Sequence, residues 1–249
     1  MSVRTAVSAV SAASLALLLT ACGSDTPDAK PKGDNDAAAS ASAAAKPDVK
    51  ALTAAELEKL VLGQPDAPGY LVKKAGAADI VNAGDVGADK AACEPLAEAM
   101  SGVSTGTPGA SAMRKAVQAK KGTAGSPDDV LNALAAPVTA VTLGSYGGQG
   151  AQQAIGSLKA ASTACGEGFT VSSSGEKTKV TKVTPLPLTA GEEAVAFTVV
   201  SDMEGTPFTS TLAVFRKGNN LATFSTISVS GKVKGLPQDL VDAQAAKLR

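Results

Sequence analysis

The side chains that could do chemistry in this chain are few, because its 249 residues include no histidine and no tryptophan. Without histidine, no Ser-His-Asp triad, Cys-His pair or His-ligated zinc or haem site can form. The remaining candidates are three cysteines, two acidic groups, a lysine-rich stretch, a glycine-rich turn and a Ser/Lys pair. None has the spacing of an established motif, so the sequence predicts no catalytic residue, no metal ligand and no cofactor.

The acidic groups are poorly arranged for catalysis or metal binding. Glu192 and Glu193 are neighbours, and neighbours in a strand point to opposite faces, which favours a solvated turn over a shared proton. Asp79, Asp85 and Asp89 lie in a Gly-containing loop that could suggest a calcium site. They lack the ligand spacing and the closing glutamate of an EF-hand loop.

The basic and glycine-rich groups also have simple structural explanations. Lys177 and Lys179 share one strand face and Lys182 falls on the other, which suits protection of an edge strand better than a phosphate site. The Gly147–Gly150 turn precedes a helix and could bind an anion. It lacks the Gly-Lys-Ser/Thr ending of a P-loop, so a tight strand-to-helix turn is the better interpretation.

Further classes are disfavoured by composition and spacing. Ser157 and Lys159 are two positions apart on a helix and do not face each other, which argues against a Ser-Lys nucleophile. Lys and Arg number 23, as do Asp and Glu, so the formal net charge is zero. A nucleic-acid binder needs a basic surplus, and aromatic residues, at 3%, are too scarce for base stacking. We expect a non-enzyme that binds no nucleic acid.

The N-terminus predicts where the protein is located. Arg4 is followed by an uncharged apolar run, Ala6 to Ala21, too short and alanine-rich for a secure membrane span. Its end, Leu19-Thr20-Ala21-Cys22, resembles the lipobox of bacterial lipoproteins, in which the cysteine is acylated and becomes the first mature residue. The alternative, an ordinary secreted protein, fits less well because the cleavage pattern matches this cysteine and no better site nearby.

Three segments follow from this interpretation. Residues 1–21 form a lipoprotein signal peptide, and residues 22–50 carry the lipidated Cys22 and an Ala/Ser/Asp/Pro-rich linker that buries too little apolar area to fold. Residues 51–249 form one ectodomain. A diacylglyceryl group, with palmitate-type chains, supplies the two chains that stable anchoring needs. The protein is therefore expected at the outer face of the plasma membrane, with the membrane as its partner.

Cys93 and Cys165 remain as a pair in a compartment that oxidises thiols. Each lies on a predicted helix with an inward apolar face, so a disulfide between two packed helices is expected. A redox-active pair is the alternative. It is disfavoured because there is no Cys-x-x-Cys spacing and no adjoining His or Lys to lower a thiol pKa.

The ectodomain begins with helical patterns. Thr53 to Glu56 is a capping box that starts a helix ending near Gly63. Further helices are predicted over Lys90 to Met100, from Ser126 to Ala136, and over Ala151 to Cys165. Strands are predicted at Tyr70–Val72, Met113–Ala119 and Val138–Tyr146.

Strand patterns dominate the second half. Five segments rich in Val, Thr, Phe and Ile are separated by short turns, and a last helix starts at Pro237. These segments are Phe169–Ser173, Lys177–Thr184, Ala194–Ser201, Thr209–Arg216 and Leu221–Val229. The predicted fold class is α+β, with an antiparallel meander of about five to six strands packed by several helices.

The order of these features resembles the extracellular sensor domain of certain actinobacterial serine/threonine kinases, whose relatives include free-standing lipoproteins. The shared elements are the capped helix at Leu52-Thr53, the helical Cys93, the helix ending in Cys165-Gly166, the hairpin Phe215-Arg216-Lys217-Gly218-Asn219, and the Pro237 helix with Ala243-Gln244. The resemblance implies a curved antiparallel sheet with a cleft for an extracellular ligand. This chain differs in having one expected disulfide instead of two, and no kinase or transmembrane segment.

Two functional hypotheses follow. The first is a lipid-anchored, non-catalytic, sensor-like protein that captures a small or lipidic ligand in a cleft between helices and sheet. The second is an accessory lipoprotein that acts by contact with a protein of a cell-envelope complex. The sequence does not locate the ligand-binding residues. A hydrolase with an unrecognised site is a distant third.

Overall fold

The computed structural model describes residues 49–118 and 136–248. The predicted signal peptide, Cys22, the linker up to residue 48 and the helix predicted from Ser126 lie outside them. The described helices are α1 (Ala54–Leu60), α2 (Glu94–Met100), α3 (Gly150–Ala164) and α4 (Gln238–Lys247). The described strands are β1 (Tyr70–Lys74), β2 (Val86–Ala88), β3 (Ala110–Gln118), β4 (Val138–Ser145), β5 (Phe169–Ser173), β6 (Glu176–Leu186), β7 (Glu193–Met203), β8 (Thr206–Lys217) and β9 (Asn220–Ile227).

The strands form one antiparallel sheet in the order β1-β3-β4-β9-β8-β7-β6-β5-β2. The α+β class and the meander of β5 to β9 are confirmed, but five to six strands is too low a count for a sheet of nine. The early strands β4, β3 and β1 continue the sheet beyond β9, and β2 pairs with β5 at the other edge. The β4–β9 pairing joins Val138 to Ile227, a long-range contact that no local pattern encodes. The three residues of β2 are too few to show alternation.

Each face of this sheet is covered by a different pair of helices, and the two pairs lie over different parts of the sheet. Helices α2 and α3 pack on one face, the α2/α3 face, over inward residues of β5 to β9 such as Val199 and Leu212. Helices α1 and α4 pack on the other, the α1/α4 face, over residues of β3, β4, β8 and β9 such as Val141 and Phe224. Two hydrophobic clusters therefore share one sheet. No helix in the described ranges is long and apolar enough to cross a membrane.

Local sequence explains where α1 begins and how the chain enters the sheet. The Thr53 side chain accepts from the Glu56 N–H, and the Glu56 carboxylate accepts from the Thr53 N–H at 2.8 Å, which completes the predicted capping box. Two residues assigned to the linker are also ordered against the domain. Val49 O accepts from Gly148 N at 2.8 Å, and Lys50 O accepts from Asn219 Nδ2 at 3.2 Å.

The edge strand β1 is closed by a side chain. Gln64 donates from Nε2 to Tyr70 O at 2.7 Å, and its Oε1 accepts from Val72 N at 2.8 Å. The amide thus occupies the outward-facing backbone groups that another strand would otherwise use. An edge strand covered in this way resists addition of a further strand.

The disulfide joins Cys93, at the start of α2, to Cys165, at the end of α3, with a Cα–Cα distance of 5.8 Å. Both residues are fully buried in the cluster under the α2/α3 face. The bridge closes a loop with a sequence separation of 72. It therefore ties α2, which would otherwise be a helix of only two turns, to the longest described helix.

We predict that the double substitution Cys93→Ala/Cys165→Ala lowers the free energy of unfolding by about 4 kcal/mol, because it restores the entropy of a long loop to the unfolded chain. Urea denaturation of the oxidised protein and the double variant measures this difference. Adding a reductant should weaken the wild type to the same extent and leave the variant unchanged. Equal midpoints for the oxidised wild type and the variant would contradict the prediction.

Candidate ligand-binding groove

The α2/α3 face is left uncovered by the described helices where β1, β3, β4 and the end of β9 form its surface. Alternation along these strands points Leu71, Val117, Val138 and Ile227 to this side. These four residues are cross-strand partners in one continuous row. Leu71 is 49% exposed and Ile227 is 47% exposed. Because these four aliphatic residues are contiguous and not scattered, this half of the face is a candidate binding surface.

A groove runs over this surface between the end of α2 and the 75–83 loop. Its larger part, which we call the polar chamber, has a volume of 480 Å³. The polar chamber lies between the 102–108 turn and the 75–83 loop, and the first half of β3 forms its floor. Its lining includes Lys74, Asn82, Ser104, Ser111 and Thr142.

The smaller part, which we call the apolar chamber, has a volume of 310 Å³. It lies over the adjoining rows of β3, β4 and β9, against the C-terminal end of α2. Its wall includes Met100, Met113, Val138, Ala140 and Ile227. Both volumes are in the ordinary range for small-molecule sites.

Gly102 and Met113 line both chambers and separate them. A Cβ built on Gly102 would lie 3.0 Å from the Met113 methyl group, so the methionine packs directly against the glycine backbone. Gly102 also has φ +73°, a left-handed conformation that favours glycine. Because the methionine side chain is flexible, the partition is adjustable.

The end of α2 is fixed to the sheet by backbone and side-chain hydrogen bonds. Val103 N donates to Glu98 O at 2.9 Å and Gly102 N donates to Ala99 O at 3.2 Å, the pair of bonds that defines a Schellman motif. Thr142 Oγ1 donates to Gly102 O at 2.7 Å, and Ser225 Oγ donates to Met100 O at 3.0 Å. The wall shared by the two chambers is therefore held at a defined height above the sheet.

The next turn of the wall is held by two buried groups. The Tyr146 hydroxyl donates to Thr105 O at 2.7 Å, and burial raises the pKa of Tyr146, with Glu98 adding to the effect. The Glu98 carboxylate accepts from Gly106 N at 3.0 Å. Burial raises the pKa of Glu98 and the nearby Glu94 raises it further, although the Gly106 bond opposes both. The 104–106 turn thus depends on a half-buried carboxylate.

Charged side chains at the groove are mostly paired. Lys115 Nζ, on β3, lies 2.8 Å from Asp79 Oδ1, in the turn Ala77–Asp79 of the 75–83 loop. The hydrogen bond from Lys115, followed by that from Gly76 N, lowers the pKa of Asp79. At the far end of the polar chamber, Glu58 pairs with Lys74 at 2.9 Å and with Arg114 at 2.7 Å. These pairs hold the loop and α1 to the sheet.

The structure places the glutamate pair differently from the sequence interpretation. Glu192 and Glu193 do not form a merely solvated turn, because both carboxylates bind Arg216, which is only 8% exposed. Glu193 Oε2 also accepts from Lys159 on α3 at 2.6 Å. The guanidinium has several N–H donors in one plane and reaches both carboxylates. The cluster holds α3 to β7 and β8, and none of its four side chains lines either chamber.

The three aspartates considered for calcium are not brought together. Asp79 binds Lys115, Asp85 Oδ2 accepts from Asn82 Nδ2 at 3.0 Å, and Asp89 Oδ1 accepts from Thr170 N at 2.8 Å. Within the described residues, no group of three or more acidic or cysteine side chains is placed to hold a metal ion.

A β-bulge in β6 changes the face of the sheet on which Lys182 lies. The register shifts between Val180, which pairs with Ser201, and Lys182, which pairs with Val200. The extra residue moves Lys182 to the same face as Lys177 and Lys179, where the sequence had predicted the opposite face. Strand β6 lies between β7 and β5; Lys179 is paired on both sides, whereas Lys177 pairs only with β5 and Lys182 only with β7.

The glycine-rich turn and Ser157, the remaining candidate binding or catalytic groups, form hydrogen bonds with the protein backbone. In the Gly147–Gly150 turn, Gly148 N donates to Val49 O, and Gly150 N donates to Gly147 O at 3.0 Å. Ser157 Oγ donates to Ala154 O at 2.8 Å, within its own helix. The turn and the serine are thus engaged in the fold.

The groove residues Met100, Met113 and Lys115 were not singled out from the sequence. The available indication was in β3, where Met113, Lys115 and Val117 alternate with the core-facing Ala112, Arg114 and Ala116. Large apolar side chains on the outer face of a strand indicate that this face also packs against, or binds, something. That indication is weak in a single strand, because a few exposed aliphatic residues are ordinary and the pattern does not reveal which strands lie beside it.

The fold is similar to that of a known extracellular domain. No protein-family model and no curated protein sequence matches the chain. Among solved structures, it is similar to the extracellular domain of PknH from Mycobacterium tuberculosis, with 9% identity and a TM-score of 0.47. The match covers 80% of this chain and 97% of that domain. No residue role is transferred from that domain to this chain.

We predict that Glu98→Gln makes the free energy of unfolding less dependent on pH, because Glu98 holds the groove wall through Gly106 N. A carboxyl whose pKa is raised on folding stabilises the fold most below its unfolded value, 4.5, and this contribution is lost as the pH rises through the higher folded value. Glutamine keeps the acceptor for Gly106 N. Urea denaturation should be measured from below pH 4.5 to above the folded pKa of Glu98. The free energy of unfolding of the wild type should fall relative to that of the variant as the pH rises. Parallel curves would refute it.

Proposed function

We propose that the protein is a lipid-anchored cell-surface protein whose ectodomain binds a ligand in the two-chamber groove and performs no catalysis. The observation that carries this proposal is the groove itself, a pre-formed site of suitable volume on a sheet face that the described helices leave open. Its charged groups Lys115 and Asp79 are paired with each other. Its wall is fixed by hydrogen bonds through Thr142 and Ser225, so the site is organised before a ligand arrives.

Two features support the anchored location. The sequence Leu19-Thr20-Ala21-Cys22 follows an apolar run at the N-terminus. The Cys93–Cys165 disulfide is typical of compartments outside the cytosol.

The chain enters the domain at Val49 and Lys50, beside the end of β4, whereas Val138 and Ile227 lie at the other end of the same strand pair. The apolar chamber therefore lies away from the entry point of the linker.

The second candidate function is that of an accessory lipoprotein that contacts a protein of the cell envelope. The observation that favours it is the exposed row of Leu71, Val117, Val138 and Ile227, which continues from the apolar chamber to the sheet edge. Such a row could seat a partner's apolar side chains. The two functions use the same surface and differ in what occupies it.

Native mass spectrometry of the protein, purified from its host and freed of its acyl group, separates these candidates. We expect an additional mass that stays bound under native conditions and is released on unfolding. A bare polypeptide mass, two hydrogens light for the disulfide, together with co-purification of a stoichiometric envelope protein, would favour the accessory function. A bare mass with no partner would overturn both.

The anchor is tested separately by Cys22→Ser. The wild type should partition with membranes and into a detergent phase, because a diacylglyceryl group supplies two chains. The variant has no thiol to acylate and should be recovered in the aqueous phase, with its N-terminal peptide lacking the diacylglyceryl mass. The Thr20→Ser variant, which preserves the cysteine, serves as the control and should behave as the wild type. A wild-type N-terminal peptide without the diacylglyceryl mass would refute lipidation at this residue.

A further inference from the structure

Among the described residues that line the apolar chamber, Lys115 is the single charged one. The others are aliphatic, thioether, small or hydroxyl-bearing, and Ser225 already donates to Met100 O. A ligand that fills this chamber must be largely apolar. The charge that the described wall offers it is positive.

A second positive charge lies directly beside the first. Lys73 of β1 is the cross-strand partner of Lys115 in β3, so both side chains project from the α2/α3 face. Like charges placed opposite each other on a sheet repel. Lys115 has Asp79 as its partner, whereas Lys73 has no ion-pair partner among the described residues. The site therefore carries two ammonium groups and one carboxylate.

The apolar surface extends past these lysines. In the row next to Lys73 and Lys115, the residues Leu71, Val117, Val138 and Ile227 follow one another across four strands. Strands are about 4.8 Å apart, so the row is on the order of 14 Å long. A flexible hydrocarbon chain can lie in the chamber or along this row while one end stays within reach of the two lysines.

We propose that the groove binds a single-chain anionic amphiphile, with its hydrocarbon chain in the apolar chamber and its head group between Lys115 and Lys73. The inference rests on the proposed function and specifies its ligand class. The ligand binds as a single molecule, because the apolar chamber, which is open to solvent on one side, has a volume of only 310 Å³. Carboxylate and phosphate heads share the required chemistry.

The anionic head competes with Asp79 for Lys115. Asp79 belongs to the 75–83 loop, which forms a wall of the polar chamber, and its Oδ2 accepts from Gly76 N at 2.9 Å. A head group that binds Lys115 weakens the Lys115–Asp79 ion pair, which ties this loop to β3. Ligand binding and the position of the loop are therefore coupled through a single lysine.

The test is isothermal titration of dodecyl phosphate, below its critical micelle concentration, into the full chain carrying Cys22→Ser, which needs no detergent. Two variants break the same Lys115–Asp79 pair and should change affinity in opposite directions. Lys115→Gln removes the cation and should weaken binding about five- to tenfold, whereas Asp79→Asn removes the competitor and should strengthen it. Lys115→Arg keeps the charge and should retain binding. A merely structural role for the pair would move both variants in the same direction, and that result would overturn the proposal.

The chamber is tested with a matched pair of surface variants. Ile227→Glu places a negative charge in the apolar chamber and should abolish binding of the anionic probe. Met203→Glu, at the end of β7, replaces a residue of nearly equal exposure, 49% against 47%, and should leave affinity unchanged. Equal loss in both variants would overturn the assignment of the chamber.

Alternative probes separate this inference from the proposed function. Inorganic phosphate alone should show no measurable binding, and decyl glucoside, which has no charge, should bind more weakly than dodecyl phosphate. Equal affinity for the glucoside, no binding of dodecyl phosphate, or binding only to phosphatidylglycerol vesicles would overturn the amphiphile proposal. Native mass spectrometry would in each case still decide whether the groove holds a ligand of another class.

Discussion

The nine-stranded sheet has two faces, and the described helices cover opposite faces of its two halves. Strands β5 to β9 bury the α2/α3 face against the disulfide-linked helices, whereas β3, β4, β8 and β9 bury the other face under α1 and α4. Each face is therefore closed over one part of the sheet and open over another. The groove lies where the cover of the α2/α3 face stops, at the end of α2.

The position of α2 consequently decides whether a groove exists. This helix has seven residues, and a helix of two turns is marginal without tertiary contacts. Its first residue follows Cys93, which is bonded to α3, and its last turn is bonded to the sheet through Ser225 and Thr142. The covalent bond fixes one end and hydrogen bonds fix the other. The disulfide and the hydrogen bonds that hold α2 over the hydrophobic cluster therefore also hold the groove wall in place.

Charge is used differently in the two halves of the molecule. Outside the groove, the buried Arg216 is surrounded by Glu192 and Glu193, and Lys159 completes a compact cluster whose members all have partners. At the groove, Asp79 pairs with Lys115, and the neighbouring Lys73 has no ion-pair partner in the described part of the chain. A satisfied cluster stabilises packing, whereas an unbalanced one is available to a ligand. This contrast is why the lysine pair, and not the more deeply buried arginine, points to binding.

The sequence by itself determined the features that depend on neighbouring residues. The capping box at Thr53, the glycine that ends α2, the apolar face of α3 and the meander of β5 to β9 follow from local spacing, and the two ectodomain cysteines left one pairing. Tertiary structure decided the rest: the joining of β4 to β9, the short edge strand β2, the bulge that turns Lys182, and the whole groove. Met100, Met113, Val138 and Ile227 come from four separate elements. Their proximity depends on strand register over long loops, and register is set by the burial of the opposite face, which no local pattern records.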